Sequence, residues 1–245
     1  MPMTFKSRLS HFKKKLKSHR YIRIMRWSMR AALLIFIMDT GYIIGIWPDW
    51  ELYSEGPIQQ SNYIRHYIFE NYRHKDWPDL RWQQKPIRKI SKHMIRAIIV
   101  AEDARFYSHS GIDLDALQTA MEVNLSEKRF IFGGSTISQQ TVKNIFLSAS
   151  KNPLRKWHEL LLTIGMERHL TKRRILELYL NVAEFGRGIY GVEAAAKHYW
   201  GISASKLSSR QAIQLAATLS APVNHNPATK TKYFKKRVKS ISRYF

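Results

Sequence analysis

The 245-residue sequence contains no cysteine, so it can form neither a disulfide nor a thiolate metal site, and its folding needs no oxidant. Its ten histidines include no His-Glu-x-x-His pair or similar metal-binding spacing. Zinc-finger and basic-zipper patterns are also absent, which argues against a nucleic-acid partner. Long β-type runs are scarce and there is no internal repeat or low-complexity linker, so a mainly α fold is predicted.

Acidic residues are missing from both ends of the chain. The sequence has 41 Lys and Arg against 18 Asp and Glu, a formal net charge of +23. Residues 1–30 hold ten of the basic residues and 230–245 hold seven, and neither segment contains an acid. The remainder has an excess of only six positive charges. Most of the charge therefore lies at the ends, where anionic membrane lipid is the natural partner.

One long apolar run, residues 31–47, follows the basic N-terminus and is broken only by Asp39 and Thr40. As a helix it would extend roughly 25 Å, close to the thickness of a bilayer core. A basic flank before a span orients the N-terminus toward the cytoplasm. We therefore predict a basic cytoplasmic segment at 1–30 and one transmembrane helix at 31–50; a cleaved signal peptide is the alternative.

Glu102 stands at the end of an apolar helical stripe. A helix over 92–107, capped by Ser91, would turn this carboxylate inward. The residues that share its face are Ile95, Ile98 and Ile99. Burial and a helix C-terminus both disfavour the charged form, which moves the carboxyl pKa toward that of a general base. A structural ion pair with Arg96 or Arg105 is the alternative.

Gly133 and Gly134 allow a tight turn before a second predicted helix, 136–148, with Ser135 as its N-cap. The first-turn amides of such a helix form an anion site. A polar stripe runs along it at i, i+4 and i+7, formed by Thr136, Gln140 and Lys143. These features together predict a diphosphate-binding seat.

A third helix is predicted to begin at Asn152 and Pro153. Its first turns bring Arg155, Lys156 and Glu159 together. Taken alone, Arg155 and Glu159 at i, i+4 fit a surface salt bridge better than a ligand site.

Five ordered motifs extend over about 95 residues. They occupy 102–111 (Glu-Asp-x-x-Phe-x-x-His-x-Gly), 133–144 (Gly-Gly-Ser-Thr-Ile-x-Gln-Gln-x-x-Lys-Asn), 155–159 (Arg-Lys-x-x-Glu), 172–181 (Lys-x-x-Ile-Leu-Glu-x-Tyr-Leu-Asn) and 188–196 (Gly-x-Tyr-Gly-Val-x-x-Ala-Ala). In this order they resemble the motifs of the family 51 peptidoglycan glycosyltransferases. The resemblance implies a lysozyme-like, two-lobed helical domain, which we place at 51–228. The basic C-terminal tail, 229–245, is predicted to be either an interfacial segment or a frayed, solvated end.

The resemblance also implies an activity, the polymerisation of lipid II with inversion at MurNAc C1 and release of undecaprenyl diphosphate. It implies Glu102 and Glu159 as catalytic residues, the first as the base and the second orienting the cations or the donor diphosphate. The substrate-binding residues that it implies are Asp103, Ser135, Thr136, Gln139, Gln140, Lys143, Asn144, Lys151, Arg155 and Lys156. Lys151 stands where family members often have arginine, so the diphosphate would meet a point charge there in place of a bidentate fork.

The partners implied are lipid II, the growing glycan undecaprenyl diphosphate and anionic lipid; cell-wall synthesis or division proteins stay open. No cofactor is required and no metal ligand is assigned, with stimulation by Mg²⁺ or Mn²⁺ left open. The catalytic domain would lie in the periplasm of a bacterium, held by the inner membrane. No Lys-Thr-Gly follows the Ser-x-x-Lys patterns, so a monofunctional enzyme is expected. The alternatives are a lysozyme-like peptidoglycan hydrolase and a non-catalytic membrane-anchored scaffold.

Overall fold

The computed structural model describes residues 5–128, 133–148 and 154–245, with side chains from residue 20 onward. The chain divides into two units, Met1–Pro48 and Asp49–Phe245. The first consists of a single helix, α1 (Phe5–Ile46). Its segment Arg20–Ile46, 27 residues, is long and apolar enough to cross a membrane. At 1.5 Å per residue it measures roughly 40 Å, more than the run at 31–47 alone would give.

The second unit is mainly helical, as predicted. Its helices are α2 (Glu51–Ser54), α3 (Asn62–Arg73), α4 (Lys92–Glu102), α5 (Leu114–Ser126), α6 (Ile137–Phe146), α7 (Leu154–His169), α8 (Lys172–Val182), α9 (Val192–Trp200), α10 (Ser209–Thr218) and α11 (Lys232–Ser242). Short 3-10 turns lie at Ile87–Lys89, Phe106–Ser108 and Ala204–Lys206. The core is formed where α4 packs on α10 and where α6 packs on α7 and α8.

Three short strands make one small sheet: β1 (Arg81–Trp82), β2 (Glu184–Gly186) and β3 (Ile189–Tyr190). The central strand is β3, which pairs parallel with β1 and antiparallel with β2. From the sequence, a helix over 190–200 that stops at Gly201 is predicted to follow this region. Tyr190 is in the strand instead, and Gly191, at φ +81°, makes the turn into α9.

Capping residues set the ends of the helices around the site. Ser91 caps α4 as predicted. The sequence also predicts a Thr171 cap before 172–182 and a Ser208–Gln211 capping box before 212–219, and the structure has both, at the starts of α8 and α10. Two boundaries differ from the predictions. The helix α4 ends at Glu102 and not at 107, and α6 is capped by Thr136 and not by Ser135.

The C-terminal tail forms an ordered helix, which neither sequence interpretation had anticipated. Thr231 caps α11, and Phe234 and Ile241 are buried where this helix packs on α10 and α4. The sequence at 125–132 is consistent with a flap that dips into the membrane or with a buried loop core. Residues 129–132 of this segment lie outside the described residues. Asn152 and Pro153, the predicted start of α7, lie outside them as well.

Candidate active site

Glu102 is the last residue of α4, and its side chain is only 12% exposed. One carboxylate oxygen, Oε2, accepts a hydrogen bond of 2.9 Å from Nε2 of Gln140 on α6. The other, Oε1, lies 2.6 Å from Nη2 of Arg237 on α11. The predicted inward orientation is therefore confirmed. The ion pair considered from the sequence, with Arg96 or Arg105, is wrong, because the partner comes from the C-terminal helix.

Burial raises the pKa of the Glu102 carboxyl above its ordinary value. The charge of Arg237 acts most strongly in the opposite direction, followed by the hydrogen bonds and the charge of Lys143. Desolvation outweighs these contributions, so the carboxyl has a higher proton affinity than one in water. That is the property that a general base working near neutral pH requires.

Gln140 is oriented by a second residue, Tyr179 of α8. The Tyr179 hydroxyl donates a 3.1 Å hydrogen bond to Oε1 of Gln140. Because the amide oxygen is taken, the amide NH₂ group faces Glu102. The chain Tyr179, Gln140, Glu102 therefore fixes one carboxylate oxygen from the core.

Asp103 closes the N-terminus of α6. It is buried, and its Oδ2 accepts a 3.0 Å hydrogen bond from the Ile137 amide, the first of that helix. Nε2 of His109 lies 3.0 Å from the other oxygen, Oδ1, so this histidine supports the motif by hydrogen bonding, the role that the sequence pattern favours over a metal ligand. The predicted use of the helix amides as an open anion seat is corrected here, since a carboxylate of the protein already occupies the first one.

Thr136 and Gln139 complete this closed helix terminus. The Thr136 hydroxyl accepts from the Gln139 amide and donates to the carbonyl of Gly111, and the Gln139 side chain accepts from the Thr136 amide. Both residues are buried. Their side chains are therefore committed to the fold. Ser135 differs, because its hydroxyl lies 3.2 Å from Nζ of Lys156.

Three cations of the predicted diphosphate site surround one buried carboxylate, Glu159, which is 3% exposed. Lys156 forms an ion pair with its Oε1, and Nη1 of Arg155 lies 3.7 Å from its Oε2. Burial lowers the pKa of Lys143, which interacts electrostatically with Glu159, Arg155, Glu102 and Lys156. Three cations share one carboxylate, so this side of the site carries an excess of positive charge.

Arg155 has unused hydrogen-bonding capacity. Its Nε and Nη1 groups are buried and have no hydrogen-bond partner within the part of the chain that the structure describes. Buried donors of this kind are costly unless a ligand or water satisfies them. Asn144, next to Lys143 on α6, is partly exposed. Lys151 lies outside the described residues.

A cavity of about 520 Å³ opens beside Glu102. It extends from the end of α4 to Ser135 and is bounded on the far side by α5. A larger cavity of about 720 Å³ lies between α9, α10 and residues 227–230. None of the predicted site residues lines the larger cavity, so the smaller cavity is the candidate active site.

Among the residues that the structure describes, one group of side chains could hold a metal ion by distance alone: Asp103, His109 and Asp113 have ligand atoms within 4.8 Å of one another. Both carboxylates already have donors. Asp103 accepts from Ile137 and faces His109, while Asp113 pairs with Arg105 and accepts from the Ala116 amide. The Arg105 guanidinium lowers the pKa of Asp113 to about 2. A nearby cation disfavours a metal, so this group fits an internal network.

Sequence reasoning missed two residues of this site, Tyr179 and Arg237. The C-terminal cations had been counted as a charge run. A usable signal was present, because Phe234, Arg237 and Ile241 recur at i, i+3 and i+7 behind a capping threonine. That spacing places the arginine on the buried face of a helix.

Comparison with known proteins agrees with this arrangement. Residues 71–244 match the model of the transglycosylase family. The biosynthetic peptidoglycan transglycosylase of Nitrosospira multiformis is 50% identical over 162 residues, which cover 66% of this chain and 70% of that protein. Its counterpart in Laribacter hongkongensis is 44% identical over 223 residues, 90% of this chain and 96% of that protein. The one in Chromobacterium violaceum is 40% identical over 200 residues, 82% and 86% respectively. The chain therefore belongs to the transglycosylase family.

Proposed function

We propose that the protein is a peptidoglycan glycosyltransferase that polymerises lipid II at the outer face of the inner membrane. The observation that carries this proposal is a largely desolvated carboxylate, Glu102, in the same site as a cluster of three cations around the buried Glu159. The names of the relatives support the substrate class. The apolar segment of α1 supports a membrane anchor, and its basic flank supports a cytoplasmic N-terminus.

Glu102 is the base of the proposed reaction. It takes the proton of the GlcNAc 4-hydroxyl of lipid II while that oxygen attacks C1 of the donor MurNAc, with inversion. The new glycosidic bond forms as the C1 bond to the diphosphate breaks. The proton remains on Glu102 until solvent removes it. A carboxyl pKa raised by burial suits this step, because the ionised group accepts a proton more readily.

The leaving group is undecaprenyl diphosphate, which needs charge stabilisation more than a proton. Lys143, Arg155 and Lys156 supply that charge, and the buried N–H groups of Arg155 would find their acceptors in the phosphate oxygens. Glu159 aligns Lys156 and Arg155 and is assigned no proton transfer. Ser135, Asn144 and Lys151 are proposed to contact the substrate.

Asp103, Thr136 and Gln139 are assigned a supporting role in place of the substrate contact implied by the resemblance. Asp103 joins the end of α4 to the first amide of α6, and Thr136 and Gln139 form the capping box that fixes the start of α6. They therefore set the position of Glu102 relative to Gln140 and Lys143. Gln140 acts through Glu102 itself, since it holds one of the carboxylate oxygens.

The cation cluster separates this proposal from a hydrolase. A lysozyme-like hydrolase cleaves a glycosidic bond with two carboxyl groups and has no diphosphate to bind. Here the second buried carboxyl, Glu159, is paired with cations, which suits an anionic leaving group. A scaffold would have no use for a desolvated carboxylate in a cavity.

Incubation of the purified full-length protein with lipid II tests the proposal. The expected product is polymeric glycan, and Glu102→Gln should lower the rate at least about a hundredfold, the usual contribution of a general base. Glu70→Gln on α3, whose carboxylate pairs with Arg73 and His74 at a distance from this site, is the matched control and should keep full activity. Shortened glycans would indicate the hydrolase, and an unchanged substrate would indicate the scaffold.

The diphosphate assignment has its own test in inhibitor binding. Lys143→Ala should weaken the affinity for a lipid diphosphate at least about tenfold, because it removes one charge-assisted contact. Lys206→Ala, which changes an exposed lysine in a 3-10 turn, should leave that affinity unchanged. Equal binding by the Lys143→Ala variant and wild type would remove the cluster from the mechanism.

A further inference from the structure

The C-terminal helix α11 lies antiparallel along α4, the helix that carries Glu102. At one end Arg237 meets Glu102. At the other, the Phe245 ring lies 5.0 Å from the guanidinium carbon of Arg96, six residues before Glu102. Phe234, before Arg237, and Ile241, between Arg237 and Phe245, anchor the helix, because both side chains are buried. The base is therefore held from a segment that the sequence alone describes as a basic tail.

The contact between Arg237 and Glu102 leaves the carboxylate able to react. Each oxygen of a carboxylate has two lone pairs. One lone pair of Oε1 faces Arg237 and one of Oε2 faces Gln140, so both oxygens are fixed and each keeps a second acceptor site. A hydroxyl proton can be taken there without breaking either contact.

We propose that Arg237 is a positioning residue for Glu102, holding the carboxylate in one orientation and keeping it ionised, so that α11 forms part of the active site. This inference rests on the proposed role of Glu102 as the base. Arg237 itself touches no reacting atom in this scheme. Its Nε is buried without a hydrogen-bond partner among the described residues, so its planar fork engages Glu102 through Nη2.

The other charged and titratable groups around Glu102 cannot replace this cation. From α6 come the neutral Gln140 and Lys143, whose electrostatic contribution at Glu102 is weaker than that of Arg237. Tyr179 faces it from α8 as a neutral phenol, since burial raises its pKa well above the ordinary value. Asp103, the next residue, is an acid, and α10 has only the exposed Arg210 as a charged group.

Removing Arg237 should therefore change the pKa of the Glu102 carboxyl in a known direction. Burial already raises the pKa of Glu102, and the loss of its principal opposing charge raises that pKa further. The acid limb of kcat/KM reports the pKa of the base in the free enzyme. For Arg237→Gln we expect this limb to shift upward by at least about one pH unit, the usual effect of a neighbouring charge.

The experiment measures lipid II polymerisation by full-length protein in detergent from pH 5.5 to 9. Arg237→Gln should lose at least about tenfold in kcat/KM at pH 6.5 and recover part of that loss at pH 9. Arg237→Lys keeps the positive charge but loses the planar guanidinium. The acid limb of its pH profile should therefore stay near that of wild type, while kcat falls. Lys236→Gln, an exposed neighbour on the same helix, is the control and should match wild type.

A purely structural role for Arg237 would give a different pattern. It would lower the rate equally at every pH and would lower the melting temperature of Arg237→Gln and Arg237→Lys alike. The inference would be overturned by that pattern, by an unshifted acid limb, or by an Arg237 variant that is faster than wild type. Infrared titration of the protonated carboxyl band, assigned by its loss in Glu102→Gln, gives the same pKa without turnover. The inference can thus fail while polymerisation persists, and it remains measurable if no polymer forms.

Discussion

Glu184 on β2 is a partly buried carboxyl outside the site, and its environment contrasts with that of Glu102. Burial raises the pKa of Glu184 to about 7, and the charge of Arg187 offsets only part of that effect. Tyr63, Tyr67, Tyr190 and Tyr199 are near enough to feel its charge. At neutral pH this group is therefore close to half protonated, whereas Glu102 has an arginine in direct contact.

Glu184 should make the stability of the protein fall as pH rises. Between about pH 4.5 and 7 the folded state holds a proton that the unfolded chain has released, so the free energy of unfolding decreases across that window. Glu184→Gln removes this cost. We expect the variant to exceed wild type by about 3 kcal/mol at pH 8 and to equal it near pH 4.

Thermal unfolding of the full-length protein at several pH values measures this difference. Glu122→Gln on α5 changes an exposed acid and should follow wild type at every pH. A constant offset between Glu184→Gln and wild type, independent of pH, would contradict the assigned titration.

The sequence was sufficient to orient Glu102 but not to find what it contacts. Helical periodicity fixes a face, and that part of the prediction is confirmed. Arg237 is 135 residues away along the chain, and which distant helix packs on α4 depends on tertiary structure. The motif around Ser135 led to the prediction of an open anion site, which was wrong for a related reason. A helix N-terminus looks like an anion site in sequence, and here Asp103 fills it from another element.

Two glycines at the ends of α9 allow a matched test at the level of the element. Gly191 and Gly201 both have positive φ, +81° and +66°. A Cβ at Gly191 would lie 2.8 Å from the backbone oxygen of Asn181, while one at Gly201 would meet nothing within 4 Å. An alanine would therefore have a strained backbone at both positions, but its Cβ would clash with backbone atoms only at position 191.

Gly201→Ala should cost about 1 kcal/mol, the penalty of the left-handed conformation. Gly191→Ala should cost at least about 3 kcal/mol, because the strain of its more extended backbone and the clash with Asn181 combine. Chemical denaturation of both variants measures the difference. Similar values for the two would mean that β3 and α9 shift freely, against the packing described here.

The sequence predicted well which segments form helices. It predicted the end of a helix correctly where a capping residue determines that end. Thr171 and the Ser208–Gln211 box were identified correctly, since these residues bond within their own turn. The end of α4 was not, because Asp103 leaves the helix to reach α6 and the His109 ring. The helix α11 was overlooked because its cations dominated its composition.

At the scale of the whole molecule, the resemblance to the transglycosylase family is confirmed, and so is the mainly helical, lysozyme-like fold. The five motifs carried that prediction because they are local and ordered. The orientation of the chain in the membrane is a proposal that rests on the charge of residues 1–30.

We expect the full-length protein to stay in the membrane pellet after an alkaline carbonate wash, because Arg20–Ile46 is a helix long and apolar enough to cross a bilayer. Protease added outside intact spheroplasts should digest Asp49–Phe245 and spare an N-terminal tag. Release by carbonate would show attachment by charge alone. Loss of the tag would reverse the topology, and lysed spheroplasts provide the control for tag cleavage.

The distance in sequence between Glu102 and Arg237 also has a consequence in time. Ribosomes add about 5–20 residues per second, so the 135 residues from 103 to 237 take roughly 7–27 s to synthesise. If Arg237 positions the base as proposed, a chain still in transit through the export channel has an incomplete active site during that interval. Glycan synthesis by each new molecule would therefore reach its full rate only after α11 has crossed, which limits the action of a half-delivered enzyme on the wall beside the channel.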